Sequence, residues 1–173
     1  MAERTGAQGA WGDPAVLREG IVAGVIGAVS IALWFLIVDT LQGRPLNTPS
    51  ILGTAVFGLL RGGAGIAPGQ SVPFSFGMVV VFSLIHGATF AGIGIVGARL
   101  MDIADRDPDY GLFILSLLAA LGIWFTFMSV LAAGVILNAL SIPDIFIAHL
   151  LAVAAMGTYY WRRHPGMRAQ FSA

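Results

Sequence analysis

The sequence predicts an all-α membrane protein in which four transmembrane helices form two hairpins and a short interfacial helix lies on the outer side. Of its 173 residues, 57% are hydrophobic and only 10% are charged, whereas a typical soluble domain carries about 25% charged residues. The apolar residues fall into four runs long enough to cross a hydrocarbon core of about 30 Å. The chain also has 23 Gly and 8 Pro, which membrane helices tolerate better than soluble ones. We therefore expect one transmembrane domain over residues 20–161, with tails at 1–19 and 162–173.

The first span is predicted over residues 20–41. Upstream of it, Asp13 and Pro14 supply an N-cap and a proline suited to the first helical turn. The run GIVAGVIGAVSIALWFLIVDTL measures about 33 Å as a helix, which matches the bilayer core. A cleaved signal peptide is the competing interpretation. However, its apolar region would be shorter, and it would precede a small-residue cleavage site and a polar mature sequence.

The other segments follow in order along the chain. Residues 51–60 (ILGTAVFGLL) are apolar but too few to cross, so we expect a non-spanning interfacial helix on the outer face. The second, third and fourth spans are predicted over residues 74–98, 111–137 and 143–161. Residues 99–110 contain four Asp and two Arg, and we expect them to form a hydrophilic linker in water.

The arginine distribution predicts the orientation of the chain. Four spans place both termini on the same side of the membrane. If that side is the cytoplasm, only Arg44 and Arg61 face out, and the positive-inside rule is followed by seven arginines against two. The sequence YYWRR at 159–163 is expected to anchor the last span at the inner interface. The seven inner arginines are Arg4, Arg18, Arg99, Arg106, Arg162, Arg163 and Arg168.

Two histidines are the candidate cofactor-binding residues. His86 and His149 each precede an inner-interface arginine by 13 residues, which places both about 20 Å from that interface. With the Trp-Phe pairs at 34–35 and 124–125, this spacing suggests a repeat of the two hairpins. Imidazoles at equal depth can ligate a haem b iron or a chlorophyll magnesium. The alternative is hydrogen bonding across closely packed helices. Either interpretation uses the small residues beside them, which are Gly87, Gly92, Ala148 and Ala152.

Asp39 is the other polar candidate inside a span. It lies near the outer end of the first span, within reach of Arg44 and Arg61. A salt bridge at the membrane interface is one interpretation of this residue. The alternative is a proton or cation site in a small transporter or channel subunit.

A stripe of small residues on the first span predicts close helix packing. Gly20, Gly24 and Ala28 recur every four residues and so lie on one helix face. Small residues allow the backbone of a neighbouring helix to approach closely in a membrane. The spacing does not show whether that neighbour belongs to this chain or to a partner subunit.

Several function classes lack support in the sequence. A net charge of zero gives no electrostatic basis for binding nucleic acid. The absence of Cys removes disulfides, thiolate metal sites, iron–sulfur clusters and c-type haem attachment. The glycines at 92, 94 and 97 match a dinucleotide-binding motif in letters, but they lie inside an apolar span without a preceding strand. We therefore predict no catalytic residue and no metal site, and expect a protein that is not an enzyme.

The stretch GIVAGVIGAVSIALWFLIVDTLQGRPLNTPSILGTAVF and the ending MGTYYWRRHPGMR resemble a group of small, uncharacterised four-span proteins of the bacterial inner membrane. The resemblance implies a bacterial plasma membrane location and the same architecture, and it carries over no catalytic or binding residue. We expect a non-enzymatic integral membrane subunit that packs against a larger membrane complex through Gly- and Ala-rich helix faces, with lipids and other membrane subunits as its partners. The alternatives are a haem b or chlorophyll-type pigment protein using His86 and His149, and a small transporter or channel subunit.

Overall fold

The computed structural model describes residues 13–63, 66, 72–136 and 140–170. Within these residues the chain is helical apart from short connections, as the sequence predicts. The helices in chain order are α1 (Pro14–Leu41), α2 (Asn47–Leu60), α3 (Phe76–Arg106), a 3₁₀ turn (Pro108–Tyr110), α4 (Gly111–Ser129), a π-helical segment (Val130–Ile136), α5 (Ile142–Arg163) and α6 (Pro165–Gln170).

Four helices in the described part of the chain are long and apolar enough to cross a membrane. They are α1, α3, α5 and the stretch Gly111–Ala133, which joins α4 to the first residues of the π-helical segment. This finding confirms the prediction of an all-α chain with four apolar helices of spanning length. α2 has 14 residues, or about 21 Å of helix, and is too short to be a fifth.

α3 extends beyond its predicted end. It continues to Arg106 through most of the segment 99–110, which was expected to form a linker, and only a turn connects it to α4. Asp102 accepts hydrogen bonds from Arg99 at 2.7 Å and from Arg106 at 2.9 Å. Residues three and four apart are neighbours on a helix. The ion pairs of Asp102 with Arg99 and Arg106 therefore stabilise the helical form of this charged segment.

α1 is the central helix of the bundle. Its backbone approaches those of both α3 and α5 closely, whereas the α3 and α5 backbones approach each other at few points. A Cβ atom on Gly20 or Gly24 would overlap the α3 backbone, and one on Gly94 would overlap the α1 backbone. The bare backbones of these residues therefore permit the close approach of α1 and α3. On α5, the Tyr160 hydroxyl donates a hydrogen bond to the Gly94 carbonyl oxygen at 2.5 Å and so joins α5 to α3.

Buried apolar side chains form two clusters along the bundle. The first lies towards the end where α1 begins and α5 ends, which we call the basic end because of its arginines, and it includes Met167 from α6. The second lies in the other half and joins α1, α3 and α5 around Phe35, Phe90 and Ile145. Side chains of the π-helical segment pack at the edge of this second cluster.

α4 is the helix with the least packing inside the chain. Only 6% of its apolar stretch is buried, compared with 33% for α1. Its contacts with α3 and α5 are sparse, so the pair formed by α4 and α5 is much looser than the pair formed by α1 and α3. Most of the α4 surface is therefore left to lipid or to another protein.

Candidate functional site

A row of five aromatic rings crosses the second cluster and contains both predicted histidines. Ring centroids are 5.4 Å apart for Phe82 and His86, and 4.8 Å apart for His86 and Phe90. The row continues from Phe90 to Phe125 at 5.9 Å and from Phe125 to His149 at 5.6 Å. The sequence of ring contacts between the two imidazoles thus passes through two phenylalanines.

His86 joins α3 to α1. Its Nε2 atom lies 3.3 Å from the carbonyl oxygen of Ala28. Because a carbonyl oxygen only accepts, Nε2 carries the proton and donates this hydrogen bond. His86 Nε2, the atom that most often ligates a metal, is therefore occupied by a hydrogen bond within the chain. Ala28 contributes its carbonyl oxygen to this bond, and its small side chain is buried.

His149 has a different environment. Its Nδ1 atom lies 2.8 Å from the carbonyl oxygen of Ile145, one helical turn earlier, so Nδ1 donates and Nε2 carries a free lone pair. That Nε2 atom is buried and has no hydrogen-bond partner among the described residues, and the same holds for the indole Nε1 of Trp34. Ala148 and Ala152, the small residues beside His149, are buried in the second cluster.

The predicted helix-packing glycines fall into two groups. Gly20 and Gly24 lie against the α3 backbone, so the neighbour that the sequence left open is a helix of this chain. A Cβ atom on Gly87 or Gly92 would meet no atom within 4 Å. The two lie on different faces of α3, five residues apart, and of them only Gly92 is exposed.

Asp39 forms a buried contact between α1 and α2. Asp39 is only 2% exposed. Its carboxylate accepts hydrogen bonds from the Thr48 backbone N–H at 2.7 Å and from the Thr48 hydroxyl at 2.8 Å. The salt bridge of Asp39 with Arg44 or Arg61, one interpretation of the sequence, does not form. Arg44 instead donates a hydrogen bond to Gln42, and Arg61 stacks on Phe57. The first turn of α2 offers free N–H groups and a favourable dipole to the carboxylate.

A second contact fixes α2 on its other side. The Ser50 hydroxyl accepts a hydrogen bond from the Ser75 backbone N–H at 2.9 Å, at the start of α3. A Cβ atom on Gly53 would overlap the carbonyl of Met78, so α2 and α3 approach closely at that point. α2 is thus held between the end of α1 and the start of α3.

A polar cluster around His164 at the basic end was not predicted from the sequence. The His164 Nε2 atom lies 2.8 Å from a carboxylate oxygen of Glu19 on α1, and its Nδ1 atom lies 3.7 Å from a carboxylate oxygen of Asp105 on α3. Asp105 also accepts a hydrogen bond from the backbone N–H of Met167 at 2.8 Å. The cluster joins α1, α3, α5 and α6 at one point. Sequence spacing carries no signal for it, since Glu19 and His164 are 145 residues apart.

The chemistry available to these sites is limited. No group of three or more His, Asp or Glu side chains in the described part of the chain is arranged to hold a metal ion. The carboxylates of Asp39, Glu19 and Asp105 are occupied by contacts that join helices. Comparison of the chain with protein-family models, curated proteins and solved structures found no match.

Proposed function

We propose that the protein is a non-enzymatic integral membrane subunit that packs against a larger membrane complex. In this proposal the four spans form two hairpins in a bacterial plasma membrane, α2 lies at the outer interface, and both termini are cytoplasmic. The polar clusters at the two ends hold the helices together, and the exposed apolar helix faces contact lipid and partner subunits.

The observation that carries this proposal is the poor packing of α4. Ile123 is 72% exposed and Trp124 is 61% exposed, in the middle of a helix of spanning length. Association of membrane helices depends on van der Waals packing. Within the chain, α4 packs little against the other helices. A partner helix would supply this packing. Gly92 on α3, which is exposed, adds a second place at which another backbone has room to approach.

Photo-crosslinking from matched positions tests this proposal. A photoreactive residue at Ile123 on α4 should form a discrete protein adduct in native membranes. The same residue at Leu33 on α1, which is 54% exposed, should react with lipid alone. If both positions give only lipid adducts, α4 has no protein partner and the proposal fails.

Binding of a haem b or chlorophyll-type pigment is the second candidate, and His149 is the observation that favours it. A macrocycle supplies four ligands to its metal, so one free imidazole nitrogen suffices as the protein ligand. His149 Nε2 has such a lone pair, whereas His86 Nε2 is bonded to Ala28. Haem b added to purified protein should give a Soret band that is lost in His149→Ala and retained in His86→Ala. No band in wild type would remove this candidate, and equal loss in both variants would contradict ligation by His149 alone.

The transporter or channel alternative gains no separate support. It relied on Asp39 as a free carboxylate, and both of its oxygens accept hydrogen bonds from Thr48.

A further inference from the structure

Three arginines surround the helix junction at the basic end. Arg18 directly precedes Glu19 on α1, and Arg162 and Arg163 directly precede His164 on α5. Because Glu19 and His164 are in contact at 2.8 Å, these arginines lie around one point of the bundle. All three are exposed. We call them the arginine rim.

The positive charge of the arginine rim is not neutralised by the acids near it. Glu19 and Asp105 are directed at His164, and Asp102 is paired with Arg99 and Arg106. None of the three rim arginines has a carboxylate partner among the described residues; Arg163 stacks over the Tyr159 ring at 5.9 Å. The rim therefore presents guanidinium donors that suit a phosphate group.

The surface beside the arginine rim is apolar and faces away from the bundle. Leu17 and Ile21 on α1 are each 42% exposed, as is Trp161 on α5. Trp and Tyr side chains concentrate at the level of the lipid headgroups. A ligand with a phosphate at the rim would therefore have its apolar part alongside α1. A phospholipid has this arrangement of charge and hydrocarbon, and a soluble phosphate compound lacks the hydrocarbon.

We propose that the arginine rim is a binding site for an acidic phospholipid, whose phosphate contacts Arg18, Arg162 and Arg163 and whose acyl chains lie against Leu17 and Ile21. An acidic lipid is preferred to a zwitterionic one because the three guanidinium groups have no carboxylate partner in the described part of the chain. This inference does not depend on whether α4 has a protein partner.

Native mass spectrometry of the full-length protein in detergent tests the site, with phosphatidylglycerol and phosphatidylcholine of identical acyl chains as probes. Wild type should retain phosphatidylglycerol preferentially. Each arginine near a membrane surface contributes about fivefold to the binding of acidic lipid. R18Q should lower the preference by about that factor, and R162Q/R163Q by roughly tenfold or more. The thermal unfolding of each variant, followed by circular dichroism, establishes that it is folded.

R44Q/R61Q is the matched control, because it removes two arginines that follow α1 and α2 and do not belong to the arginine rim. It should keep the wild-type preference. Equal retention of the two lipids by wild type would overturn the proposal, as would an unchanged preference in R162Q/R163Q or an equal loss in R44Q/R61Q. Inorganic phosphate should not displace the bound lipid; full displacement would show an anion site that does not recognise the lipid.

Discussion

Four buried polar residues in the described part of the chain lie near the ends of helices, whereas the buried, unpaired ring nitrogens of Trp34 and His149 lie within spans. The four are Asp39, Thr48, Ser50 and His164, and each has a hydrogen-bond partner on another helix or in its first turn. An unpaired polar group is costly in hydrocarbon. Placing paired groups near the helix ends allows specific contacts between helices at the lowest desolvation cost.

Asp39→Ala should destabilise the fold by about 1–3 kcal/mol, because it leaves the Thr48 N–H buried without an acceptor. Asp39→Asn should cost less, since the amide oxygen still accepts one hydrogen bond. Thermal unfolding of the purified protein in detergent measures both. Asp109→Ala, at an exposed position, is the control; equal melting temperatures for Asp39→Ala and Asp109→Ala would show that the contact contributes nothing.

His164→Ala should also destabilise the fold, because it leaves the Glu19 carboxylate without its partner at the junction. A double-mutant cycle with Glu19→Gln isolates the interaction between the two side chains. We expect a coupling free energy of about 1 kcal/mol, within the range found for residues in contact. Strictly additive losses would mean that the two residues act independently.

The residue pattern was predictable only where it is local. Gly20 and Gly24 were identified as packing residues because their spacing alone puts them on one helix face. Asp39 was identified as a polar residue in a span, but not its partner Thr48, since the turn between α1 and α2 decides which groups meet. His164 was treated as part of a tail, because its partners Glu19 and Asp105 are distant in sequence.

At the scale of helices, the sequence predicted the elements but not their packing. Length and apolar composition are enough to identify four spanning helices, and the stretch that contains α4 is more apolar than α5, which packs against α1. Composition therefore gives no reason to put α1 at the centre and α4 at the edge. The difference comes from backbone contacts such as those of Gly24 and Gly94, which require the three-dimensional arrangement.

Two glycine substitutions should have opposite effects. Gly24→Ala should destabilise the α1–α3 pair by about 1–3 kcal/mol, because its Cβ would overlap backbone atoms that cannot move aside. Gly92→Ala has open space and should stabilise α3 by up to about 1 kcal/mol, the difference in helix propensity. Thermal unfolding distinguishes the two, and equal shifts would contradict the packing described for α1 and α3.

At the scale of the whole molecule, the arginines are distributed unequally along the sequence, with seven in the segments predicted to be cytoplasmic and two in those predicted to face out. The contacts of His164 with Glu19 and Asp105 put the start of α1 and the ends of α3 and α5 at the same end of the bundle. Arg44 follows the other end of α1, and Arg61 follows α2. The orientation itself stays a prediction: by the positive-inside rule, the end with the arginine excess is expected in the cytoplasm.

Reporter fusions test that orientation. Green fluorescent protein fused after Gln170 should fluoresce and alkaline phosphatase fused there should be inactive, because an even number of spans and the arginine excess place this end in the cytoplasm. Reporters inserted at Gly43, in the exposed turn between α1 and α2, should give the opposite pattern. Active phosphatase at Gln170 with fluorescence at Gly43 would reverse the orientation. The same pattern at both positions would instead mean that the number of spans is odd.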